Sequence, residues 1–239
     1  MKIGVILQAR TSSTRLPQKV LKELPFGSGI TVLQQILRRL KKSQKIDEII
    51  LATTKDKSDD AIVKVAQKEG VLFFRGSLAD VLGRYYQAAK ENSLDIIVRI
   101  TGDCPCVDSE IVDLVIKKHL EGKADFTSNV IKRSFPDGLD VEVFNFSVLE
   151  EIYKTATETH DREHVTAYLY KHAKQFKVIN VKANQSLYAP ERRITLDTPR
   201  DYALLCAIFD NLYPENQYFS AQAIMKLFQK KPWLDWINA

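Results

Sequence analysis

The feature that most constrains this chain is a regular alternation between short apolar runs rich in β-branched residues and segments with helical periodicity. Ile3 to Leu7 is the first apolar run, and Thr31 to Leu40 repeats apolar residues along one helix face. Further strands are predicted at Glu48 to Thr53, Val71 to Phe74 and Asp95 to Ile100, and further helices at Ser58 to Glu69, Leu78 to Glu91 and Ser109 to Leu120. Repeated strand and helix units predict an α/β protein with a mainly parallel sheet covered on both faces.

The second half of the chain is less regular. Residues 126 to 146 are strand-like around a turn at Pro136 to Gly138. Helices are predicted at Ser147 to Thr155, Arg162 to Lys174, Pro199 to Leu212 and Ala221 to Gln229, and strands at Phe176 to Val181 and Arg193 to Leu196. Because no repeat or linker divides the sequence, we expect one domain, 1–239, with an inserted excursion at about 127–165.

Size and composition exclude several classes of protein. With 239 residues, 45% hydrophobic and 27% charged, the chain is neither disordered nor collagen-like and is long enough to bury a core without disulfides. Its longest candidate span, Ala203 to Phe209, is far below the roughly 18 apolar residues that a membrane helix needs. Arg10 follows the first apolar run too soon for a signal peptide, and the three cysteines form no CxxC pair. We therefore expect a cytoplasmic protein with no membrane contact and no zinc site.

The net charge of +5 is unevenly distributed. Residues 1 to 45 hold ten basic residues and one acidic residue, whereas the other 194 hold 25 basic and 29 acidic residues. The basic segment has a single aromatic residue, Phe26, and no zinc-finger, RRM or KH signature, which argues against nucleic acid as a partner. A small polyphosphate ligand fits this charge better.

Three segments that follow predicted strands are candidate locations of functional residues, because ligands of open α/β sheets bind outside the carboxyl ends of the strands. The first, QARTSSTRLPQK from Gln8 to Lys19, offers Arg10, Arg15 and Lys19 with four hydroxyls and no acidic residue. Cations and hydroxyl donors of this kind suit phosphate. The loop contains no glycine, so it is neither a Walker A loop nor a dinucleotide fingerprint. A solvated polar connection is the alternative.

The other two segments each place an aspartate at a strand end. In RITGDCPCVD, Asp103 can stand in the crevice as an Mg²⁺ ligand, although an isolated Gly-Asp pair more often only shapes a turn. In RITLDTPRD, Thr198 and Pro199 are typical of a helix start, and Asp197 precedes that cap, so capping does not explain it. Together with the cationic loop, the two aspartates favour metal-assisted phosphoryl chemistry.

These residues resemble those of a known protein family. STRLPQK resembles the STRLPGK signature of CMP-Kdo synthetases, and the whole chain is similar to the cytidylyltransferase family that includes the spore coat polysaccharide biosynthesis protein F group. The matching stretches are QARTSSTRLPQKVL, GSLADVLGRYYQAA, VRITGDCPCVD, FPDGLDVEVF, DREHVTAYLY and RITLDTPRDY. The resemblance implies a three-layer, Rossmann-like nucleotide-diphospho-sugar transferase (GT-A-like) fold, CTP as the donor, Mg²⁺, and a product in which CMP is joined to a sugar, usually an acidic one. Gln18 stands where relatives commonly have glycine, and Cys106 where they have an aliphatic residue.

The resemblance also implies roles for individual residues. It assigns Arg10, Lys19, Asp103 and Asp197 to catalysis, the two aspartates as metal ligands. The implied nucleotide-binding residues are Gln8, Ala9, Arg10, Ser13, Arg15, Lys19, Ser77, Asp80, Arg84 and Asp103. The implied acceptor-binding residues are Asp137, Asp140, Glu142, Arg162, Glu163 and His164. His164 is either a general base or structural, and we expect His119, His160 and His172 at the surface.

The predicted reaction is attack by a sugar hydroxyl on the α-phosphorus of CTP with release of pyrophosphate, for cell-surface or spore-coat polysaccharide synthesis. One alternative is a GT-A glycosyltransferase that uses a nucleotide sugar, although TGDCP lacks the first aspartate of the DxD motif typical of those enzymes. The other is a non-catalytic nucleotide-binding partner of the same pathway. The acceptor stays open among sialic-type, Kdo-like and unusual neutral sugars. Phe144, Phe146, Leu149 and Ile152 could form a homodimer interface or belong to the core.

Overall fold

The computed structural model describes residues 1–239 as an open sheet with helices on both faces. The strands are β1 (Ile3–Gln8), β2 (Glu48–Thr54), β3 (Leu72–Gly76), β4 (Ile96–Thr101), β5 (Phe126–Ser128), β6 (Glu142–Asn145) and β7 (Val178–Asn180). The helices are α1 (Val32–Leu40), α2 (Asp60–Glu69), α3 (Val81–Glu91), α4 (Ser109–Gly122), α5 (Phe146–Thr155), α6 (Thr159–Glu163), α7 (Ala167–Lys171), α8 (Pro199–Leu212) and α9 (Ala221–Lys230). None of these helices is long and apolar enough to cross a membrane.

The strand order is β3-β2-β1-β4-β6-β5-β7, and only β6 runs antiparallel to its neighbours. This confirms the predicted α/β class with a mainly parallel sheet. In the pairing of β1 with β4, Gln8 lies opposite Thr101, so both strands end at the same level. The loops that follow them therefore start side by side at the carboxyl edge of the sheet.

Two apolar cores, one on each face of the sheet, explain why β1 is apolar without interruption. Val5 and Leu7 belong to the core under α1, α4, α8 and α9, whereas Ile6 belongs to the core under α3, α5 and α7. Successive side chains of a strand point to opposite faces. A strand covered on both sides therefore needs apolar residues at every position, as the three-layer prediction requires.

The excursion adds to the sheet rather than standing apart from it. It supplies β6 and α5, and Phe144, Leu149 and Ile152 are fully buried in this chain's own core. Phe146 is half-buried and stacks on Tyr86, with ring centroids 5.8 Å apart. Of the four residues considered for a dimer interface, three are therefore core residues, and the homodimer itself stays a prediction.

Several predicted elements are wrong in detail. The helix predicted at Arg162 to Lys174 is two short helices, α6 and α7, separated by an extended residue at His164. The break brings the Thr166 hydroxyl to Glu142, to which it donates at 3.2 Å. Arg193 to Leu196 is not a strand of the sheet. This segment makes one bridge, to Asp137, and is otherwise bound to the loop after β4.

The surface position predicted for His119 is also wrong. Its ring is buried between the Thr127 hydroxyl and the Asn145 amide oxygen, at 3.0 and 3.1 Å. Burial lowers the pKa of His119, so the neutral ring satisfies two polar groups between α4 and the sheet. The sequence around His119 does not predict these partners, which come from β5 and β6.

Candidate active site

The loop that follows β1 is tied down by a carboxylate from the next strand-to-helix connection. The Thr11 amide and hydroxyl both donate to Oδ1 of Asp59, at 2.8 and 2.7 Å, and the Thr53 hydroxyl donates to its Oδ2 at 3.0 Å. Burial raises the pKa of Asp59, but the hydrogen bonds from Thr54 and Thr11 outweigh it and hold the pKa below its ordinary value. Asp59 is therefore ionised, and it fixes the loop from Gln8 to Lys19 at the edge of the sheet. In the sequence, Asp59 falls only within the helix predicted at Ser58 to Glu69.

The far end of this loop positions Lys19. Gln18 adopts the left-handed conformation, with φ of +55°, and leads into a 3-10 turn at Lys19–Leu21. The Lys19 ammonium then lies 2.9 Å from Oδ2 of Asp103 and 2.8 Å from Oδ1 of Asp197. The loop thus carries one cation to two carboxylates that come from distant parts of the chain.

Asp103 is held by the loop after β4. The Gly102 amide donates to the Gln8 carbonyl at 2.9 Å, and a Cβ at position 102 would lie only 2.9 Å from that oxygen. Glycine is required here because any side chain would separate the two loops. The Thr101 hydroxyl donates to Oδ1 of Asp103 at 2.5 Å, which leaves Oδ2 to Lys19.

Asp197 is held by the start of α8. Thr198 caps this helix in a capping box with Asp201, and Pro199 is the first helical residue, as the sequence predicts. The Arg193 guanidinium donates to Oδ2 of Asp197 at 2.7 Å. Burial raises the pKa of Asp197, but Lys19 and Arg193 outweigh it and lower the pKa below its usual value.

The segment before Asp197 is bound directly to the segment around Asp103. The Leu196 amide donates to the Asp103 carbonyl at 2.8 Å, and the Thr195 hydroxyl donates to the same oxygen at 3.1 Å. Arg15 also reaches the pair, with its guanidinium 3.0 Å from Oδ1 of Asp197. Backbone and side chain together therefore bring the two predicted metal ligands to one place, beside the cationic loop.

The donor set fits a divalent cation that is also bound by phosphate. Two carboxylate oxygens already converge on one cationic group, the Lys19 ammonium. No group of three or more histidine, cysteine or acidic side chains is placed to hold a metal ion, either at this site or elsewhere in the molecule. Mg²⁺ commonly takes one or two carboxylates and completes its coordination with phosphate and water, so Asp103 and Asp197 are sufficient as protein ligands.

Two adjoining cavities meet at this pair of aspartates. The first, here called the loop cavity, has a volume of about 420 Å³ and opens between the loop after β1, α3 and the end of β4. Eight of the ten predicted nucleotide-binding residues line it: Gln8, Ala9, Arg10, Ser13, Arg15, Lys19, Arg84 and Asp103. Ser77 and Asp80 lie in a neighbouring depression instead. There Asp80 caps α3 through the Gly83 amide and pairs with Arg162.

The second, here called the carboxylate cavity, has a volume of about 350 Å³, and Asp137, Asp140 and Glu142 line it as predicted. The other three predicted acceptor residues do not. Glu163 and His164 line the loop cavity. The Arg162 guanidinium donates to the Tyr153 carbonyl at 3.0 Å and lies over the Tyr153 ring, so the structure places it outside both cavities.

Sequence reasoning missed the arginines of this site. Arg99 lines both cavities and contacts Glu142, while Arg193 lines the carboxylate cavity and contacts Asp197. A signal was present, because RITGD and RITLD share one pattern in which an arginine precedes the functional aspartate by four positions. The threonines of both motifs, Thr101 and Thr195, also line the carboxylate cavity.

This arrangement is typical of the class of open-sheet α/β proteins whose ligands bind outside the carboxyl ends of the strands. The family model for cytidylyltransferases matches residues 4–237. The chain therefore belongs to the cytidylyltransferase family, whose members are nucleotidyltransferases.

The chain is also similar to individual proteins over most of its length. The chain is 45% identical over 206 residues to an uncharacterized protein of Methanocaldococcus jannaschii, covering 85% of this chain and 82% of the relative. It is 33% identical over 229 residues to the spore coat polysaccharide biosynthesis protein SpsF of Bacillus subtilis, covering 95% and 94% of the two chains. A cytidylyltransferase structure from Leptospira borgpetersenii superposes with a TM-score of 0.91 at 37% identity, over 98% of this chain and 96% of that one.

The nucleotide-diphospho-sugar transferase fold is also shared with more distant structures. CMP:2-keto-3-deoxy-manno-octonic acid synthetase, solved with CTP, superposes with a TM-score of 0.64 over 88% of this chain and 99% of that one. At 12% identity this likeness concerns the fold alone. It confirms the nucleotide-diphospho-sugar transferase fold that the family resemblance implies.

Proposed function

We propose that this chain transfers CMP from CTP to a hydroxyl of a sugar or sugar-like acceptor and releases pyrophosphate, as a step of polysaccharide biosynthesis. The observation that carries the proposal is the convergence of Asp103 and Asp197 beside the cationic loop, where the two cavities meet. Family membership supports CTP as the donor. A 3-deoxy-manno-octulosonate cytidylyltransferase of Geobacter metallireducens is 28% identical over 72% of each chain, which supports a sugar as the acceptor.

In this proposal the loop cavity binds the nucleotide. Arg10 and Arg15 are exposed at its mouth and Lys19 is half-buried inside it. Their charges and the loop hydroxyls would neutralise the triphosphate and the departing pyrophosphate. Electrostatic stabilisation of this kind is the main contribution of protein groups to phosphoryl transfer.

The carboxylate cavity would hold the acceptor on the other side of the aspartate pair. The acceptor oxygen forms a bond to the α-phosphorus, and the bond from that phosphorus to the bridging oxygen breaks, so pyrophosphate leaves with the electron pair. The hydroxyl proton passes to a carboxylate of this cavity. Burial and the neighbouring Asp140 raise the pKa of Asp137, which makes Asp137 a better proton acceptor than an ordinary aspartate.

Asp103 and Asp197 would hold the Mg²⁺ ion that the family resemblance implies. When bound, the ion would offset negative charge on the phosphate groups. Lys19, which contacts both aspartates, is the side chain whose charge the ion would supplement at this position.

A panel of nucleoside triphosphates tests the donor, with thermal shift as the readout and Mg²⁺ present throughout. CTP should stabilise the protein more than ATP, GTP or UTP, and CTP with an acceptor should release pyrophosphate. Release of a nucleoside mono- or diphosphate from a sugar nucleotide would instead identify a glycosyltransferase. CTP binding without turnover across a broad acceptor panel would identify a non-catalytic partner.

A further inference from the structure

We propose that the acceptor is not a sugar acid but a hydroxyl-rich compound that is uncharged or carries an amine, because the cations of the carboxylate cavity are already bound to carboxylates. This inference rests on the proposed function and specifies its acceptor class. It departs from the acidic acceptor that the family resemblance implies.

The first argument is the balance of charge on the cavity wall. Five carboxylates line it, and only two guanidinium groups, those of Arg99 and Arg193. If Asp103 and Asp197 are committed to a metal ion, Asp137, Asp140 and Glu142 still match Arg193, the nearby Arg133 and Arg99 one for one. A carboxylate ligand would therefore enter a site that has no unmatched cation.

The second argument is that the charge of Arg99 is already matched by a carboxylate, although its Nε has no hydrogen-bond partner. It lies opposite Glu142 in the pairing of β4 with β6, and the two side chains are in direct contact. Glu142 is 4% exposed and also accepts hydrogen bonds from Thr166 and Tyr170. Burial disfavours the Arg99 cation, yet the contact with Glu142 raises its pKa above the ordinary value. The charge of Arg99 is therefore matched inside the protein.

The third argument is that the other two arginines of this region are bound in the same way. Arg193 contacts Asp137, Asp197 and Asp201, at 3.0, 2.7 and 3.3 Å. Arg133 makes a bidentate pair with Asp140, at 2.8 and 2.9 Å. A bidentate arginine-carboxylate pair is a strong and geometrically specific interaction, so an incoming carboxylate would have to break an existing pair to find a partner.

What the cavity does offer suits hydroxyls and amines. Asp137 and Asp140 are half-buried and line the cavity with oxygens that accept hydrogen bonds. Burial and the neighbouring Asp140 raise the pKa of Asp137, against the opposing effect of Arg133 and Arg193. A hydroxyl or ammonium group can donate to these carboxylate oxygens, whereas a carboxylate would be repelled by them.

Matched pairs of sugars that differ only in a carboxylate test this inference. Galactose and galacturonate form one pair, glucose and glucuronate another, with galactosamine and 3-deoxy-manno-octulosonate as further probes. Binding to the wild-type protein is measured by calorimetry with Mg²⁺ and a non-hydrolysable CTP analogue, and turnover by pyrophosphate release from CTP. We expect at least one neutral or amino sugar to bind at least 10-fold more tightly than its matched acid.

The results separate this inference from the proposed function. Tighter binding or faster turnover with the acids would overturn the inference and leave CMP transfer intact, as would a lack of saturable binding by every neutral and amino sugar. Binding of the CTP analogue alone is measured without acceptor, and its absence would count against the proposed function only.

Two variants probe the cause of the discrimination. Asp140→Asn releases Arg133 and Asp137→Asn releases one contact of Arg193, each without a change in side-chain size. In either folded variant, the ratio of the affinity for the neutral or amino sugar to the affinity for its matched acid should fall by at least about 10-fold. Glu121→Gln, on the exposed face of α4, is the control and should keep the wild-type ratio. Unchanged ratios in both folded variants would contradict the inference.

Discussion

Oδ2 of Asp103 and Oδ1 of Asp197 lie 2.9 and 2.8 Å from a single nitrogen, the Nζ of Lys19, although the two aspartates are 94 positions apart in the chain. One ammonium carries one positive charge against two carboxylates, and Arg15 and Arg193 supplement it only at Asp197. Asp103 therefore depends on Lys19 alone among the cations of the site. A divalent ion would balance the two carboxylates more completely. The charge balance of this pair should therefore change when either aspartate or Lys19 is replaced.

Replacement of Asp103 by asparagine keeps the volume and removes the charge. We expect Asp103→Asn to lower the rate of pyrophosphate release by about 100-fold or more, the scale observed when one preorganised electrostatic group is lost. Steady-state turnover with CTP and an accepted sugar measures it, and Glu121→Gln serves as the exposed acidic control. A near-normal rate in the asparagine variant would remove Asp103 from the catalytic group.

Replacement of Lys19 by glutamine should separate metal binding from catalysis. Without the ammonium, the two carboxylates lose their common cation, so Mn²⁺ in the absence of nucleotide should bind several-fold more tightly than to the wild type. Turnover should nevertheless fall, by about 100-fold, because the leaving pyrophosphate loses a cation. Electron paramagnetic resonance of free Mn²⁺ gives the affinity, and pyrophosphate release gives the rate. Weaker Mn²⁺ binding in Lys19→Gln would show that the aspartates do not form the metal site.

Much of the fold could be predicted from local patterns. The first four strands and the helices between them follow from apolar periodicity, and the structure places them within three residues of prediction. The errors occur where contacts with residues far away in the sequence determine the local structure. Arg193 to Leu196 has strand composition, yet it binds the loops around Asp103 and Asp137 instead of a strand. Single-sequence periodicity does not show which neighbour a segment will find.

The site was predictable where motifs follow strands and unpredictable where side chains pair across the fold. Asp103, Asp197 and Lys19 come together as their positions suggest. The contact of Arg99 with Glu142, by contrast, depends on an antiparallel register that the sequence does not specify. The placement of Arg162 beside Asp80 likewise results from the packing of α6 against α3. Charge pairing of this kind decides whether a cation is free for a ligand.

Gln18 tests how much the loop depends on its left-handed turn. A side chain in this conformation costs roughly 1 to 2 kcal/mol, and glycine removes that cost but loses roughly 0.5 to 1 kcal/mol through the flexibility of the unfolded chain. We therefore expect Gln18→Gly to raise the free energy of unfolding by about 0.5 kcal/mol. Gln18→Val should lower it, because β-branched residues tolerate positive φ poorly. Urea denaturation measures both, and a glycine variant less stable than the valine variant would contradict the argument.

Asp201 supports the site from behind and should make stability depend on pH. Its side chain is 3% exposed and accepts hydrogen bonds from the amides of Asp197 and Thr198, as well as from Arg193. Burial raises its pKa, but the bonds from Arg193 and Asn238 outweigh this and lower the pKa from 3.8 to about 2.

Because the pKa of Asp201 is lower in the folded state, its stabilisation is complete above the unfolded value and is lost as the pH falls through the folded value. The difference between the folded and unfolded pKa values of Asp201 corresponds to roughly 2 kcal/mol of stability. Asp201→Asn should thus unfold with a free energy about 2 kcal/mol lower than the wild type at pH 7, and the gap should narrow to about half near pH 3. Urea denaturation at the two pH values measures it. If the difference in unfolding free energy between wild type and variant were the same at both pH values, the charge of the carboxylate would contribute nothing. Only the shape of the side chain would then hold Asp197 in position.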